Sequence, residues 1–335
     1  MILVYILYDS MNNSIFASQV WSLLLKIAAE DKYQSIILIS FESQHLIHNY
    51  HDQRIKTIQI KRYKYLGRLC LLLDLFKLKK YLPKSSFEII ARGPFAGWLA
   101  TKSITTNCTK VTIQARGLAA EEYAYSTPTP NLLRQILVTI RYYQLLALEK
   151  KVYRTKHPRL YLESVSTALQ DYLIKSYGTT TPNLTLAQTD IPNQINSAQI
   201  LTWRNTLRKK LAIAPTTIVY CYSGSTHQWQ RPTETVQFFQ SKLIQNEQAF
   251  LLVLTPQPAL FTQLIQSLDL PTNSYLVLTV AHHEIYQYLA AADFGLLFRE
   301  KHILNWVSRP TKALEYQSVN LPILHNNTIA YLISK

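Results

Sequence analysis

Cysteine is scarce in this sequence, and the three that occur, Cys70, Cys108 and Cys221, are far apart in the chain. This spacing gives neither the disulfide framework of a small secreted domain nor the paired thiols of a zinc site. We therefore expect three reduced thiols that serve as packing residues in a cytosolic protein. The sequence argues against a fold that depends on disulfides or on a structural metal.

Long apolar runs are also missing, since none in the chain reaches the roughly 18 residues that span a bilayer. The N-terminal run MILVYILYDSMNN has no basic region before it and no small-residue cleavage site, and Asp9 follows the apolar part at once. This pattern predicts a strand rather than a signal peptide. We expect a cytoplasmic protein, either soluble or peripheral at the inner face of the plasma membrane.

Acidic residues are few: 20 Asp and Glu stand against 35 Lys and Arg, which gives a net charge of +15. Residues 54–84 alone hold ten basic residues and a single acid, Asp74. This imbalance predicts a negative partner, such as nucleic acid, anionic lipid or a pyrophosphate-linked acceptor. No nucleic-acid-binding motif accompanies the charge, so we expect no nucleic-acid partner. Leucines with lysines toward the end of the segment suit a helix lying on an anionic membrane, although a packed helix with a basic face has the same pattern.

Glycine is rare as well, with seven residues, so the places where it occurs are informative. Gly93, Gly117 and Gly224 each follow a predicted strand. A residue without a side chain is needed there for a tight turn or for close approach to a ligand. These three positions therefore mark candidate ligand-binding loops.

Short apolar runs alternate with longer amphipathic segments along the whole chain, which is the pattern of parallel α/β structure. In the first half we predict strands at 2–7, 35–40, 55–60, 88–91, 111–114, 159–162 and 183–186, helices from Ala17, Leu66 and Pro94, and a long helix over 132–154. In the second half we predict strands at 217–221, 249–254, 274–279 and 293–297, with helices from Arg231, Pro258 and Glu284. Turn residues near position 190 separate two doubly wound domains, 1–190 and 191–335, whose ligands should bind in a cleft at the carboxyl ends of the strands.

The most informative segment is 291–324, where an apolar strand ending in Arg-Glu is followed by a loop, a helix starting near Pro310 and another apolar strand. Proline suits the first turn of a helix, and the free backbone N–H groups at that end favour phosphate. Glu315 lies further along the helix, where a carboxylate can accept hydrogen bonds from the vicinal hydroxyls of a ribose. Lys312 adds a positive charge nearby. The segment predicts a nucleotide site.

This segment resembles the "P-x-K-x-x-E-Y … G-L-P" signature of GT-B glycosyltransferases, in particular the retaining, nucleotide-sugar-dependent, group 1 or family 4-like enzymes of bacterial surface polysaccharides. The matching residues are Pro310, Lys312, Glu315, Tyr316, Leu321 and Pro322. Asn320 stands where glycine is usual, and Asn is the best replacement for glycine at positive φ. The resemblance implies two Rossmann-like doubly wound domains facing a cleft, with the acceptor bound by the first and the donor by the second.

On the donor side, the loop after the first strand of the second domain contains Gly224 and Ser225, with Arg231 downstream. Backbone N–H groups, the serine hydroxyl and a basic side chain there could hold a diphosphate, although a Ser-Gly-Ser turn is commonly only a turn. The position resembles the loop that meets the donor phosphates in this family. For the Arg299-Glu300 pair, the resemblance implies Arg299 on phosphate and Glu300 on hydroxyls of the sugar or nucleoside, and the alternative is a solvated charged loop.

On the acceptor side, the resemblance implies three polar clusters that follow predicted strands of the first domain. The first cluster contains Asp9, Asn13 and Ser14, and the second is Arg92. The third contains Arg116, Gly117 and Glu121, which belong to an R-G-x-x-x-E-E run that ends at Glu122. Position 114, often acidic in such enzymes, is Gln. The sequence therefore identifies no catalytic base.

The function expected from the resemblance is transfer of a sugar from a nucleotide-sugar to a surface glycan or a lipid-linked acceptor, with retention at the anomeric carbon. Helix N-termini and basic side chains can stabilise the leaving diphosphate without a metal, and the sequence has no Asp-x-Asp pair, so we expect no metal and no cofactor. Relatives usually continue past the last strand, whereas this chain ends at Lys335. A short C-terminal part keeps an inactive nucleotide-sugar-binding protein open as an alternative. A nucleotide-sugar epimerase is a further alternative, which the Pro-Lys-Glu loop disfavours.

Overall fold

The computed structural model describes residues 1–13, 16–48, 50–62, 68–180, 183–188, 192 and 194–333. The chain divides into two compact units, Met1–Asp190 and Ile191–Lys335. Each unit is built on one parallel sheet. The strands of both sheets are largely buried, because helices cover parallel sheets on both faces, and this explains their nearly continuous apolar sequences.

The sheet of the first unit has seven strands in the order β3-β2-β1-β4-β5-β6-β7. These strands are β1 Ile2–Leu7, β2 Ser35–Glu42, β3 Ile55–Lys61, β4 Phe87–Arg92, β5 Cys108–Ala115, β6 Leu160–Ser164 and β7 Leu184–Leu186. The order changes direction between β1 and β4, which pair with Leu7 opposite Arg92. In open parallel sheets, ligands bind at the carboxyl edge beside such a switch point.

The helices of the first unit lie between these strands. They are a π-helical turn at Ala17–Trp21 that continues into α1 Ser22–Ala29, then α2 Arg68–Lys79, α3 Gly93–Thr101, α4 Ala119–Ser126, α5 Leu132–Tyr153 and α6 Thr167–Tyr177. The long helix predicted over 132–154 is present as α5. The predicted start of α2 at Leu66 lies outside the described residues. No prediction covered α4 and α6.

Local capping explains where two of these helices begin and end. Asn131 caps α5 by accepting a hydrogen bond from the backbone N–H of Arg134 at 3.1 Å. Ser166 caps α6 in the same way through the N–H of Leu169 at 3.0 Å, and Gly178 ends that helix with φ of 66°. Among the helices that the structure describes, none is long and apolar enough to cross a membrane.

The sheet of the second unit has five strands in the order β10-β9-β8-β11-β12, with its switch point between β8 and β11. The strands are β8 Val219–Ser223, β9 Phe250–Leu254, β10 Tyr275–Leu278, β11 Phe294–Leu297 and β12 Ile323–His325. The helices are α7 Ser197–Lys210, α8 Pro232–Gln245, α9 Pro258–Gln266, α10 Ile285–Ala290, α11 Ile303–Trp306, α12 Thr311–Ser318 and α13 Ala330–Ile333, with 3₁₀ turns at Gln228–Gln230 and His282–Glu284.

An ionic cluster attaches helix α7 to the sheet. The sequence patterns do not predict this helix. Asp293, just before β11, accepts hydrogen bonds from Arg204 at 2.5 Å, from the buried Arg208 at 2.6 Å and from the backbone N–H of Val219 at 2.7 Å. Burial lowers the pKa of Arg208, and the charge of Asp293 opposes this shift. One carboxylate therefore joins α7 to the starts of β8 and β11.

Candidate functional site

The candidate site lies at the carboxyl ends of β8 and β11, the two strands beside the switch point of the second unit. These strands pair with Tyr222 opposite Leu296, so they end side by side. Gly224 follows β8, and Arg299 follows β11 by two residues. The fold thus brings together two segments that are 75 residues apart in the sequence.

Helix α12 is fixed against these strand ends by Tyr316. The Tyr316 hydroxyl accepts a hydrogen bond from the backbone N–H of Ser223 at 3.0 Å and lies 3.4 Å from the carbonyl oxygen of Leu296. Tyr316 is fully buried. Because Lys312 is one helical turn before Tyr316, this anchor also sets the position of Lys312 over the loop that follows β8.

Gly295 in β11 makes room for the ring of Tyr316. A Cβ atom built on Gly295 would lie 2.6 Å from Cδ2 and 2.7 Å from Cε2 of Tyr316, distances that real Cβ contacts do not show. A side chain at position 295 would therefore push α12 away from the sheet. This glycine is required for packing and not for a turn, since it has no positive φ.

Gly224 serves a similar purpose for a charged group. A Cβ atom built on it would overlap Nζ of Lys312 and Oε1 of Gln230 and would lie 2.9 Å from the hydroxyl of Tyr222. The Lys312 ammonium donates a hydrogen bond to Gln230 Oε1 and lies 5.2 Å from the centre of the Tyr222 ring. The absent side chain at position 224 thus leaves space that the ammonium group occupies.

The environment of Lys312 disfavours its charge. Burial lowers the pKa of Lys312 well below its usual value, the nearby Arg299 lowers it further, and Glu315 opposes the shift. The described partner of the ammonium is the neutral amide of Gln230 and not a carboxylate. An anion at this place would stabilise the charged form.

Gln230 organises the loop, although no sequence pattern marks it as a site residue. Its Nε2 donates a hydrogen bond to the Ser225 hydroxyl at 2.8 Å, while its Oε1 accepts from Lys312 and lies 3.2 Å from the Tyr222 hydroxyl. The Tyr222 hydroxyl in turn donates to the Ser225 carbonyl at 2.7 Å. A neutral side chain therefore fixes both the loop and the lysine.

Arg299 is a second buried cation at this edge, with 4% of its surface exposed. Its guanidinium lies 4.7 Å from the centre of the Trp229 ring, and two hydrogen bonds with Asn326 hold its backbone. Burial lowers the pKa of Arg299 to about 10, opposed by Tyr222 and Tyr316. Arg299 and Lys312 together concentrate positive charge at the ends of β8 and β11.

The two candidate carboxylates lie in adjoining segments. Glu315 is buried in α12, and its charge supports that of Lys312. Glu300 follows Arg299 directly: its backbone N–H donates to the Trp229 carbonyl at 3.4 Å, and its carbonyl accepts from Asn305 at 2.9 Å. The segment that carries Glu300 is thus attached to the loop that follows β8.

Arg231, predicted to reach the donor phosphates, has different described contacts. It precedes α8 with φ of 52°, and its Nε lies 3.3 Å from Glu234 in an exposed ion pair. The described side chains nearest to Gly224 are those of Lys312, Gln230 and Tyr222. The basic side chain next to this glycine therefore comes from α12 and not from the start of α8.

The polar residues predicted in the first unit also follow its central strands. Asp9 comes two residues after β1 and accepts hydrogen bonds from the Ser10 backbone N–H and from Asn13 Nδ2, both at 2.8 Å. Arg92 ends β4 and donates a hydrogen bond to Gln19 Oε1. Ser14 lies outside the described residues.

In the cluster after β5, the two adjacent glutamates have different surroundings. Glu121 accepts a hydrogen bond from the Tyr142 hydroxyl of α5 at 2.8 Å. Glu122 instead lies so close to Gly117 that a Cβ atom there would overlap its Oε1. Burial raises the pKa of Glu122, while Arg92 lowers it and Asp9 raises it. Glu122 therefore shares the electrostatic environment of the strand ends, and Arg116 directly follows β5.

A buried carboxylate of α5 holds α4 in place. Glu149 accepts hydrogen bonds from the backbone N–H groups of Ala119 at 2.7 Å and Ala120 at 3.1 Å and from the Tyr177 hydroxyl at 3.0 Å. Burial raises its pKa to about 7, although these hydrogen bonds oppose the shift. Glu149 thus supplies the first turn of α4 with acceptors from 30 residues further along the chain.

The described residues contain no group of three or more His, Cys, Asp or Glu side chains that could hold a metal ion. The charged groups that gather at the ends of β8 and β11 are the cations of Arg299 and Lys312 with the carboxylate of Glu315. This arrangement suits an anionic ligand with hydroxyl groups.

Two doubly wound parallel sheets, each with a polar cluster beside its switch point, define a protein of two Rossmann-like domains. Solved structures identify the arrangement further. WaaG, a glycosyltransferase involved in lipopolysaccharide biosynthesis, is similar with a TM-score of 0.65 at 15% identity, over 99% of this chain and 83% of WaaG.

Two other solved glycosyltransferase-like structures are comparably close. Sucrose-phosphate synthase from Thermosynechococcus elongatus has a TM-score of 0.63 at 16% identity, over 97% of this chain and 80% of that one. HepE from Anabaena, in complex with UDP and glucose, has a TM-score of 0.61 at 13% identity, over 96% and 80% of the two chains. No family model matches the sequence, and no curated protein matches it. The chain has the GT-B fold, which confirms the predicted fold of two Rossmann-like domains.

Proposed function

We propose that this protein is a glycosyltransferase that moves a sugar from a nucleotide-sugar to a surface glycan or a lipid-linked acceptor. The proposal depends on the position of the Lys312 ammonium, which lies against Gly224 at the switch point of the second unit. A buried cation with a neutral partner, beside the buried Arg299, favours a ligand with concentrated negative charge. The diphosphate of a nucleotide-sugar has that charge.

The donor would bind at the ends of β8 and β11. Its diphosphate would meet the backbone of Gly224 and Ser225 and replace Gln230 Oε1 as the partner of Lys312. The N-terminal end of α12 adds the positive end of its helix dipole. Glu315 would accept hydrogen bonds from the ribose hydroxyls. The structural similarity to HepE, which was solved with UDP and glucose, supports this use of the fold.

In the proposed reaction the protein stabilises the leaving diphosphate. Negative charge grows on that group as the glycosidic bond breaks, and fixed cations such as Lys312 and Arg299 stabilise it most at that stage. Glu300 would hold hydroxyls of the sugar through its carboxylate. The reaction would need no metal and would retain the anomeric configuration. Arg231 remains a candidate for an outer phosphate contact once its ion pair with Glu234 opens.

The acceptor would bind at the polar cluster of the first unit. Asp9, Asn13, Arg92 and Gly117 lie at the ends of β1, β4 and β5, and Glu122 adds a carboxylate whose pKa is raised by burial. A carboxyl group with a raised pKa is suited to accept a proton from an acceptor hydroxyl.

A lipid-linked acceptor would bring the protein to the cytoplasmic face of a membrane. Helix α2 supports this, because Leu69, Leu72, Leu73 and Phe76 recur along one face and are exposed. Lys77 and Lys79 follow in its last turn. An apolar face with lysines beside it is the pattern of a helix at an anionic interface.

The first experiment is thermal unfolding of the purified chain with nucleoside diphosphates and their sugar conjugates, because a ligand of the folded state raises the melting temperature. We expect stabilisation by the nucleotides of one base. Glu315→Gln should lose that stabilisation, and Glu247→Gln, at an exposed glutamate of the same unit, should keep it. No stabilisation by any nucleotide, in a folded sample, would contradict the proposal.

Turnover is measured separately with the sugar conjugate that binds. Transfer to an added glycan or lipid-linked acceptor is the expected result. Binding without any turnover would indicate a nucleotide-sugar-binding protein on the same fold. Conversion of the sugar without an acceptor would indicate an epimerase.

A further inference from the structure

The N-terminal half of α5 has an apolar face that is exposed to solvent. Six large side chains on this face have exposures from 49% for Ile140 to 74% for Leu133. The others are Leu132, Ile136, Leu137 and Tyr143. Proteins that act as monomers in water rarely expose so many neighbouring apolar side chains, and such patches mark interaction surfaces.

Packing of α5 does not account for this face. At 100° per residue, the six positions cover about 140° of the helix circumference. The first unit holds α5 mainly by its C-terminal half, where Leu145, Glu149 and Val152 are buried, and by the hydrogen bond from Tyr142 to Glu121. None of residues 132–143 is buried, so the apolar side of the N-terminal half can contact another surface.

Charge indicates the kind of surface. The sequence from Glu122 to Glu149 has no acidic residue between its ends, and Arg134 and Arg141 lie together at one border of the exposed face. The chain as a whole carries +15. A second copy would bring the same positive charge to the contact, whereas an anionic lipid surface complements both the arginines and the net charge.

We propose that the exposed face of α5, residues 132–143, inserts into the interface of an anionic bilayer. The leucines and isoleucines would enter the boundary of the acyl chains, and Arg134 and Arg141 would contact lipid phosphates. Helix α3 packs against both α2 and α5, so the two helices with exposed apolar faces lie on the same side of the sheet. Contact through α5 would therefore add a second attachment to the one proposed for α2.

The test is flotation of the whole protein, without nucleotide, with vesicles of phosphatidylcholine and with equimolar phosphatidylcholine and phosphatidylglycerol. We expect binding to the anionic vesicles, and a loss of about tenfold in Leu133→Gln/Leu137→Gln, because apolar burial contributes to such binding. The matched control is Leu201→Gln/Ile244→Gln, which replaces two exposed apolar side chains of the second unit and should bind like the wild type. Arg134→Gln/Arg141→Gln should reduce the preference for anionic vesicles.

Two further measurements separate membrane insertion of α5 from attachment through α2 alone and from dimerisation. Equal melting temperatures of the variants show that folding is intact. The chain has five tryptophans of its own, so a blue shift with anionic vesicles that is larger in Leu137→Trp than in wild type would report insertion at this face. If only an α2 variant such as Leu72→Gln/Phe76→Gln lost binding, the proposal would be overturned. It would also be overturned if Leu133→Gln/Leu137→Gln turned a dimer into a monomer in light scattering and left vesicle binding unchanged. Because no nucleotide is present, these results do not depend on the proposed transferase activity.

Discussion

The hydroxyl of Tyr316 accepts a hydrogen bond from the backbone N–H of Ser223 across 93 residues of sequence. This bond joins α12, which carries Lys312 and Glu315, to the loop that begins at Gly224. The bond thus attaches the helix to the loop and positions the cation of α12 against the backbone of Gly224.

Replacing Tyr316 with Phe should separate the effect of this hydrogen bond from that of the ring. The ring would still fill the space beside Gly295, but the Ser223 N–H would be buried without its acceptor, which typically costs about 1–3 kcal/mol. We expect a fall of that size in the free energy of unfolding, measured with urea. Tyr220→Phe, on the same strand as Ser223, is the control and should change stability less. Equal effects of the two variants would show that the hydrogen bond contributes little.

Gly295→Ala tests the close packing of α12 on β11. The new Cβ atom would lie 2.6 Å from the ring of Tyr316, so the helix or the strand must shift. Overpacking of this kind costs about 1–3 kcal/mol, which urea unfolding can measure. A smaller residue at position 316 should relieve the clash, so the costs of Gly295→Ala and Tyr316→Leu should not add in the double variant. If the two stability costs simply added, residues 295 and 316 would not be in steric conflict.

The raised pKa of Glu149 predicts that the stability of the protein depends on pH. Its pKa is raised to about 7 in the folded protein, so between the unfolded value of 4.5 and 7 the folded state binds more protons than the unfolded state. Stability conferred by this group is therefore greatest at low pH and falls as pH rises through that window, by about 3 kcal/mol in total. Unfolding of wild type and Glu149→Gln at several pH values measures the difference. A constant difference between pH 4.5 and 7 would contradict the assignment.

Asp293 and Glu234 form ion pairs in different settings, and their removal should have different effects. Asp293→Ala leaves the buried Arg208 without its carboxylate, and breaking a buried pair in this way costs about 3 kcal/mol or more. Glu234→Ala removes the exposed partner of Arg231, where the expected change is within about 1 kcal/mol. Thermal and urea unfolding of the two variants provide the comparison. Similar losses of stability in both variants would show that burial does not determine how much these ion pairs contribute to stability.

The strands were the most predictable part of the fold. Parallel strands covered on both faces have nearly continuous apolar sequences, so β1 is present at Ile2–Leu7 as predicted, and the other strands differ from prediction mainly at their ends. Asn320 also follows local reasoning, because it adopts φ of 57°, the conformation for which Asn can replace glycine. Such features depend on a few neighbouring residues, which sequence patterns record.

The parts that were missed depend on distant contacts. Gln230 meets Lys312 across 82 residues, and no local pattern marks either residue as the partner of the other. The start of α4 is held by Glu149 and not by a capping residue of its own. Without that start, the sequence does not show in which direction each side chain of the helix points. It therefore cannot distinguish Glu121, which accepts a hydrogen bond from Tyr142, from Glu122, which lies beside Gly117.

The proposed donor site can be tested by calorimetric binding of the stabilising nucleoside diphosphate and of its nucleoside to wild type and to Lys312→Gln. Glutamine at this position removes the charge but keeps a polar side chain, and an unchanged melting temperature of the variant would show that the fold is retained. We predict that the diphosphate loses about tenfold or more in affinity, as expected for a lost charge-assisted hydrogen bond, while the nucleoside binds as before. Unchanged diphosphate affinity, or an equal loss for both ligands, would contradict the placement of the donor phosphates at Gly224 and Lys312.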